Sequence, residues 1–215
     1  MEYEYTFNKF EKEIFLAAAE GRTKSKSKEQ NQRFSHPAAI KSWAKITGDP
    51  DIDLDFWGVV GEYYVARHLN ICPDFSISKS GDGGKTDLRR NNQTIQVKTN
   101  FFNPVPTLIF NQEGSYQFKA DFAMLVGVLE DKKNTVKFWG FLTRKSFETR
   151  KMQGSAWYEK DYGSGVRDCI SGKDLNKLKS SEYYYRQKLI TPDKTKANNE
   201  SFPKVQLQKV LQPKV

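Results

Sequence analysis

Apolar positions along this chain repeat first with a helical period and then with the period of two that marks strands. Phe7, Phe10, Ile14, Phe15 and Ala18 fall on one side of a helix predicted over 7–20, with Gly21 as its stop. The stretch RTKSKSKEQNQR from Arg22 to Arg33 has no period and reads as a basic loop. A second helix follows, with Ser35 as N-cap, Pro37 in the first turn, a stripe of Ile40, Trp43 and Ile46, and Gly48 as its close. Residues 48–53 read as a linker, and a third helix is expected over 55–69. Alternation then takes over, with strands predicted over 75–79, 85–90 and 94–99 and a turn at Asn91-Asn92. Pro104 and Pro106 interrupt the pattern before further strands over 107–110, 121–129 and 135–142. The second of these is apolar enough to be central in a sheet. Short helices are expected over 143–151 and 172–179, then an irregular Lys- and Gln-containing tail in which only Val205 to Leu211 alternates. The expected fold class is α/β, a mixed β-sheet flanked by helices. A helical N-terminal appendage is placed over 1–50, a core over 51–190 and a basic tail over 191–215.

Composition narrows the partners. The 215 residues carry 35 Lys and Arg against 26 Asp and Glu, a formal net charge of +9. That excess points to an anionic partner, nucleic acid before a membrane surface. The charged opening is not that of a signal peptide, and the apolar run 122–129 is too short to span a bilayer. With two cysteines, Cys72 and Cys169, there is no disulfide framework, so a cytoplasmic protein is expected. The two histidines, His36 and His68, sit in no Cys/His cluster, which removes zinc fingers and His-rich metal sites. Carboxylates and lysine are left to carry any chemistry.

Three places offer them. On the third helix, Gly58, Val59, Val65 and Ala66 surround Glu62 at three- and four-residue spacings, so a carboxylate lies within the apolar stripe. Such a group must be paired, protonated or bound to a cation, and a glutamate at the stripe's edge paired with a nearby lysine fits as well. In the predicted hairpin, Gln96 and Lys98 share one strand face while Ile95, Val97 and Thr99 share the other. Asp87 and Arg89 share a face of the preceding strand, so Asp, Gln and Lys are expected together on the polar side. An ordinary wet hairpin face accounts for that segment alone equally well. GDGGKT (Gly81 to Thr86) is not a phosphate loop, because Lys79 stands where the first glycine is required and a strand follows.

Taken together, GVVGEYYVARHL, GDGGKTDL and IQVKT resemble the PD-(D/E)XK, or restriction-endonuclease-like, nuclease superfamily. The resemblance covers roughly 55–147. It implies a restriction-endonuclease-like core and Mg²⁺-dependent endonucleolytic cleavage of DNA, with Mn²⁺ as a substitute. It implies Glu62, Asp87, Gln96 and Lys98 as catalytic residues, and Glu62, Asp87 and the carbonyl of Val97 as metal ligands. Asp87 would be the central hard-oxygen ligand, Glu62 would complete or orient the coordination, and Lys98 would act on the attacking water. Gln96 departs from the usual acidic residue, which leaves two carboxylates rather than three, although several branches of the superfamily use Gln here. The expected partner is double-stranded DNA, with a homodimer left open and no membrane. An inactive DNA-binding subunit, a junction-selective nuclease and an RNA-cleaving nuclease are the alternatives. Restriction, homing and repair roles are not separated.

Overall fold

Asp49 and Pro50 begin the longest helix. The Asp49 carboxylate accepts hydrogen bonds from the backbone N–H groups of Asp51 (2.9 Å) and Ile52 (3.3 Å), and Pro50 needs no N–H at the first helical position. In the computed structural model, which describes residues 4–25, 40–73, 75, 86–101, 105–111, 117–153 and 167–176, this helix is α2 (Pro50–Leu69). The expected linker over 48–53 is therefore largely its first turn. Asn70 ends it in the left-handed conformation (φ 54°).

Helix α1 (Lys9–Ser25) runs antiparallel to α2: Glu11 meets Arg67, Phe15 stacks near Tyr63, and Arg22 meets Glu62. Its phase differs from the expected one. Phe15 and Ala19 are buried, whereas Phe10 and Ile14 are 59% and 40% exposed. Gly21 lies within the helix, since packing on α2 outweighs a single glycine's cost. Ahead of it, strand β1 (Glu4–Thr6) pairs with Thr135 to Lys137. The first fifty residues thus supply an edge strand and a core helix, rather than a purely helical appendage. The expected second helix is described only from Ile40, where Ser42–Ala44 form a single 3₁₀ turn.

Strands β2 (Leu88–Arg90) and β3 (Gln93–Asn100) form the expected hairpin, and Asn91 and Asn92 turn it with φ of 47° and 64°. Strand β4 (Thr107–Asn111) leaves this sheet. Strands β5 (Phe122–Val128) and β6 (Thr135–Thr143) return to it, giving the order β1-β6-β5-β3-β2. Among the described strands of this sheet, only β3 and β5 pair in parallel. Asp121 starts that parallel pair: its carboxylate accepts from the N–H and the hydroxyl of Thr94, both at 2.8 Å, and the Thr94 N–H holds the Asp121 carboxyl below its ordinary pKa. Helix α3 (Arg144–Arg150) follows β6, and β7 (Met152–Gln153) and β8 (Arg167–Ser171) join β4 in a second sheet ordered β4-β8-β7. The expected helix over 172–179 is described only as a 3₁₀ turn, Gly172–Asp174. The predicted strands over 75–79 and 205–211 lie outside the described residues, apart from Phe75.

The central strand β5 is buried along its whole length and separates two cores. Phe122, Met124, Val126 and Val128 face the helices, together with Ile95, Val97, Phe15, Phe56 and Val60. Ala123 and Leu125 face β4, β8 and α3, together with Phe110, Phe147 and Ile170. Mixed α/β, with a mixed sheet flanked by helices, is the observed class.

Gly61 sets the distance between α2 and β3. A Cβ there would stand 2.1 Å from Thr99 Oγ1, and Val97 also lies against it. Gly61→Ala is expected to destabilise the fold by ~1–3 kcal/mol, the usual cost of forcing a methyl into a packed contact. Thermal melts check this; a variant melting with the parent would show that Thr99 turns aside without cost.

Candidate active site at the end of the hairpin

The strand β2 is short, and its shortness shapes the site. It covers β3 only as far as Ile95. Beyond that point the N–H and C=O of Val97 face the same edge, which no described strand covers, since both groups of one residue point to the same side of a strand. Asp87 stands at a bend just outside β2 rather than within a ladder. Its backbone N–H donates to the Ile95 carbonyl (2.9 Å), and its carboxylate accepts the Val97 N–H at 2.5 Å. The side chain therefore occupies the position a continuing strand would have filled. The Thr86 hydroxyl fixes the bend by donating to the carbonyl of Leu88 at 2.8 Å. The Asp87 carboxylate and the Val97 carbonyl are thus brought to one edge.

Gln96 and Lys98 share a face, as the alternation predicts, but it is the face turned away from α2. Gln96 stands beside Ala123 and Lys98 beside Leu125, both on the second core. Gln96 is 3% exposed, so the expected wet polar face is buried at this position, and its Oε1 has no hydrogen-bond partner among the described residues. The Lys98 ammonium lies 5.2 Å from the centre of the Phe110 ring.

Glu62 lies on the helix side. It stands at the edge of the α2 stripe, toward the end of α1, while its neighbour Gly61 takes the contact with the sheet. Its two oxygens accept a fork of hydrogen bonds from Arg22, at 2.8 and 2.6 Å. The paired side chains are 22% and 13% exposed for Arg22 and Glu62. One residue on, the Thr23 hydroxyl donates to Asp55 at 2.7 Å. Burial works against the charge of Arg22, but the hydrogen bonds and charge of Glu62, and the charges of Asp87 and Asp55, outweigh it and raise its pKa. The guanidinium bonds Glu62 and also feels the charges of Asp87 and Asp55.

Arg22 is the site residue that sequence reasoning missed, being read as the start of a basic loop. The signal was available: Phe15, Ala19 and Arg22 follow i, i+4, i+7 spacing, which carries the inward face of α1 past Gly21. Glu62 has an arginine for its partner where a lysine was expected.

A hard divalent cation suits part of this arrangement. The Asp87 carboxylate and the Val97 carbonyl are oxygen donors at an edge that no described strand covers, and Gln96 has a buried amide oxygen without a partner among the described residues. Glu62 fits less well, because the two-bond fork from Arg22 already offsets its charge. Among the described residues no group of three His, Cys, Asp or Glu is gathered for a metal. No helix among them is long and apolar enough to cross a membrane.

Comparison with protein-family models, with curated proteins and with solved structures finds no match for this chain.

Proposed function

We propose that the chain is a metal-dependent endonuclease of the PD-(D/E)XK kind that hydrolyses phosphodiester bonds in DNA. The observation that carries this reading is the hairpin end: β2 stops short, and the Asp87 carboxylate, bonded to the Val97 N–H, shares with the Val97 carbonyl an edge that no described strand covers. A carboxylate and a backbone carbonyl are both hard oxygen donors of the kind Mg²⁺ prefers, and water would complete its shell. Asp87 and Val97 would hold the cation, with Gln96 offering a neutral oxygen in place of a third carboxylate. When bound, a divalent cation offsets charge on the scissile phosphate and lowers the pKa of water. Lys98, next to Val97 on the same strand, would bring a positive charge suited to orienting the attacking water and to the charge that grows on the phosphoryl oxygens. The net charge of +9 favours DNA as substrate.

One observation favours a second reading. With Glu62 neutralised by Arg22, the fold would also serve as a catalytically silent DNA-binding subunit.

Incubation of the purified chain with supercoiled plasmid, linear duplex, a four-way junction and RNA separates the two readings. Cleavage of DNA is expected in Mg²⁺ or Mn²⁺, with complete loss in excess EDTA. Undiminished cutting in EDTA would remove the metal from the mechanism. Binding without cutting of any substrate would leave the silent subunit.

A further inference from the structure

Charge is divided unevenly between the two ends of the central strands. At the end where the hairpin turns stand Arg89, Arg90, Lys119, Arg144 and Lys145, all exposed except the half-buried Arg90. At the other end, between β5 and β6, Glu130 and Asp131 stand beside Lys132 and Lys133, and Lys132 is bonded to Glu4 at 2.6 Å. We propose that the hairpin-turn end of the sheet straddles the major groove of a B-form DNA duplex, with Arg89 on the phosphates of one strand and Arg144 on those of the other. The choice of DNA as partner rests on the nuclease reading; the place where it lies does not.

The register sets the spacing. Arg89 lies opposite Thr94 across the hairpin. The Asp121 N–H donates to the Thr94 carbonyl (3.1 Å), and the Arg144 N–H to the Asp121 carbonyl (3.0 Å). Arg89, Thr94, Asp121 and Arg144 thus form one row across four neighbouring segments, three strand spacings or ~14 Å from end to end. Thr94 and Asp121 point to one side, since their side chains bond, and Arg89, directly opposite Thr94, shares it. The length of the row is close to the ~12 Å width of the B-form major groove, and the remainder is within reach of two arginine side chains. The A-form groove is narrow and offers no such gap. The row is also held firmly. The Asp121 carboxylate takes both the N–H and the hydroxyl of Thr94 at 2.8 Å, and Arg144 Nη1 donates to the Lys119 carbonyl at 3.2 Å. Asp121, the one carboxylate of the row, sits at its middle, over the groove rather than on a phosphate. Glu148, the acid of α3, is bonded to Lys151 at 2.8 Å. Asp87 stands two residues before Arg89, ~7 Å along an extended chain, about two base pairs at ~3.4 Å each. A duplex held on this row passes the edge shared by Asp87 and Val97.

The test uses the full chain in EDTA, so that no cutting intervenes. Binding to a short DNA duplex is measured over a range of salt for wild type, Arg89→Gln, Arg144→Gln and the double variant. Each single substitution should make the salt slope shallower by about one, and the double variant by about two, whatever the sequence of the duplex. Lys133→Gln, at the other end of β5, should keep the wild-type slope. Arg89→Lys and Arg144→Lys retain the charge and should keep it too. Should Arg144→Gln not fold without its bond to the Lys119 carbonyl, Arg89→Gln alone still decides. An RNA duplex of the same sequence and anionic lipid vesicles should both bind more weakly than the DNA. A wild-type slope in the double variant would overturn the row and leave the nuclease reading standing. An equal change in Lys133→Gln would overturn its place in the fold. RNA bound as tightly as DNA would overturn the groove match, and tighter binding to vesicles would overturn the choice of partner. The expected slopes in a chain that cuts no substrate with Mg²⁺ would keep the row and end the nuclease reading.

Discussion

Asp87→Asn is expected to give a folded, DNA-binding protein that does not cut. The substitution is chosen for the bond Asp87 makes at home. Its carboxylate accepts the Val97 N–H, and an asparagine carbonyl oxygen can accept the same proton. The end of the hairpin should therefore hold, and the melting temperature should stay close to that of the parent. What disappears is the negative charge that a hard cation requires. Losing the principal ligand removes several kcal/mol of stabilisation from the transition state, ~10³-fold or more in rate. DNA affinity should be kept or rise, since one carboxylate facing the phosphate is gone. Plasmid cleavage, a gel-shift titration and a thermal melt decide the matter together. Asp87→Ala is the contrasting variant: it leaves the Val97 N–H without its acceptor and should melt earlier. If Asp87→Asn cuts at the parental rate, Asp87 is a strand cap and nothing more, and the nuclease proposal loses its central residue.

The second large effect is expected at Lys98. Its ammonium lies over the Phe110 ring and its stem packs on the second core, so truncation to alanine mixes packing with chemistry. Lys98→Met keeps most of the stem and removes only the charge. Loss of one preorganised electrostatic group costs ~10²–10³ in rate, and that fall is expected for Lys98→Met with stability and DNA affinity little changed. A variant that melts several degrees lower yet cuts normally would make Lys98 a residue of the core.

The contrast between these two residues shows how far the chain could be read without coordinates. The Asn91-Asn92 turn was legible because both residues tolerate positive φ, and the central place of β5 was legible from its unbroken apolar run. The Gln96/Lys98 pairing followed from strand alternation, and the structure keeps it. Which face they share did not follow, because period two fixes a relative side and only packing chooses between two cores. Asp87 could not be placed at a bend, since the end of a strand is set by where its partner stops. The start of α2 was present in Asp49-Pro50 but was read as a linker. The second sheet escaped notice because β8 is short and finds β4 only through tertiary pairing.

The position of β1 has a consequence for synthesis. Tyr5 lies opposite Val136, and the Thr6 hydroxyl meets that of Thr135 at 2.8 Å. The paired Thr6 and Thr135 lie 129 positions apart, so a ribosome makes β1 long before its partner strand. Until then Phe7 and Phe15 on either side of the first helical turn lack the sheet edge that helps bury them, so this part of the core closes only after β6 is made.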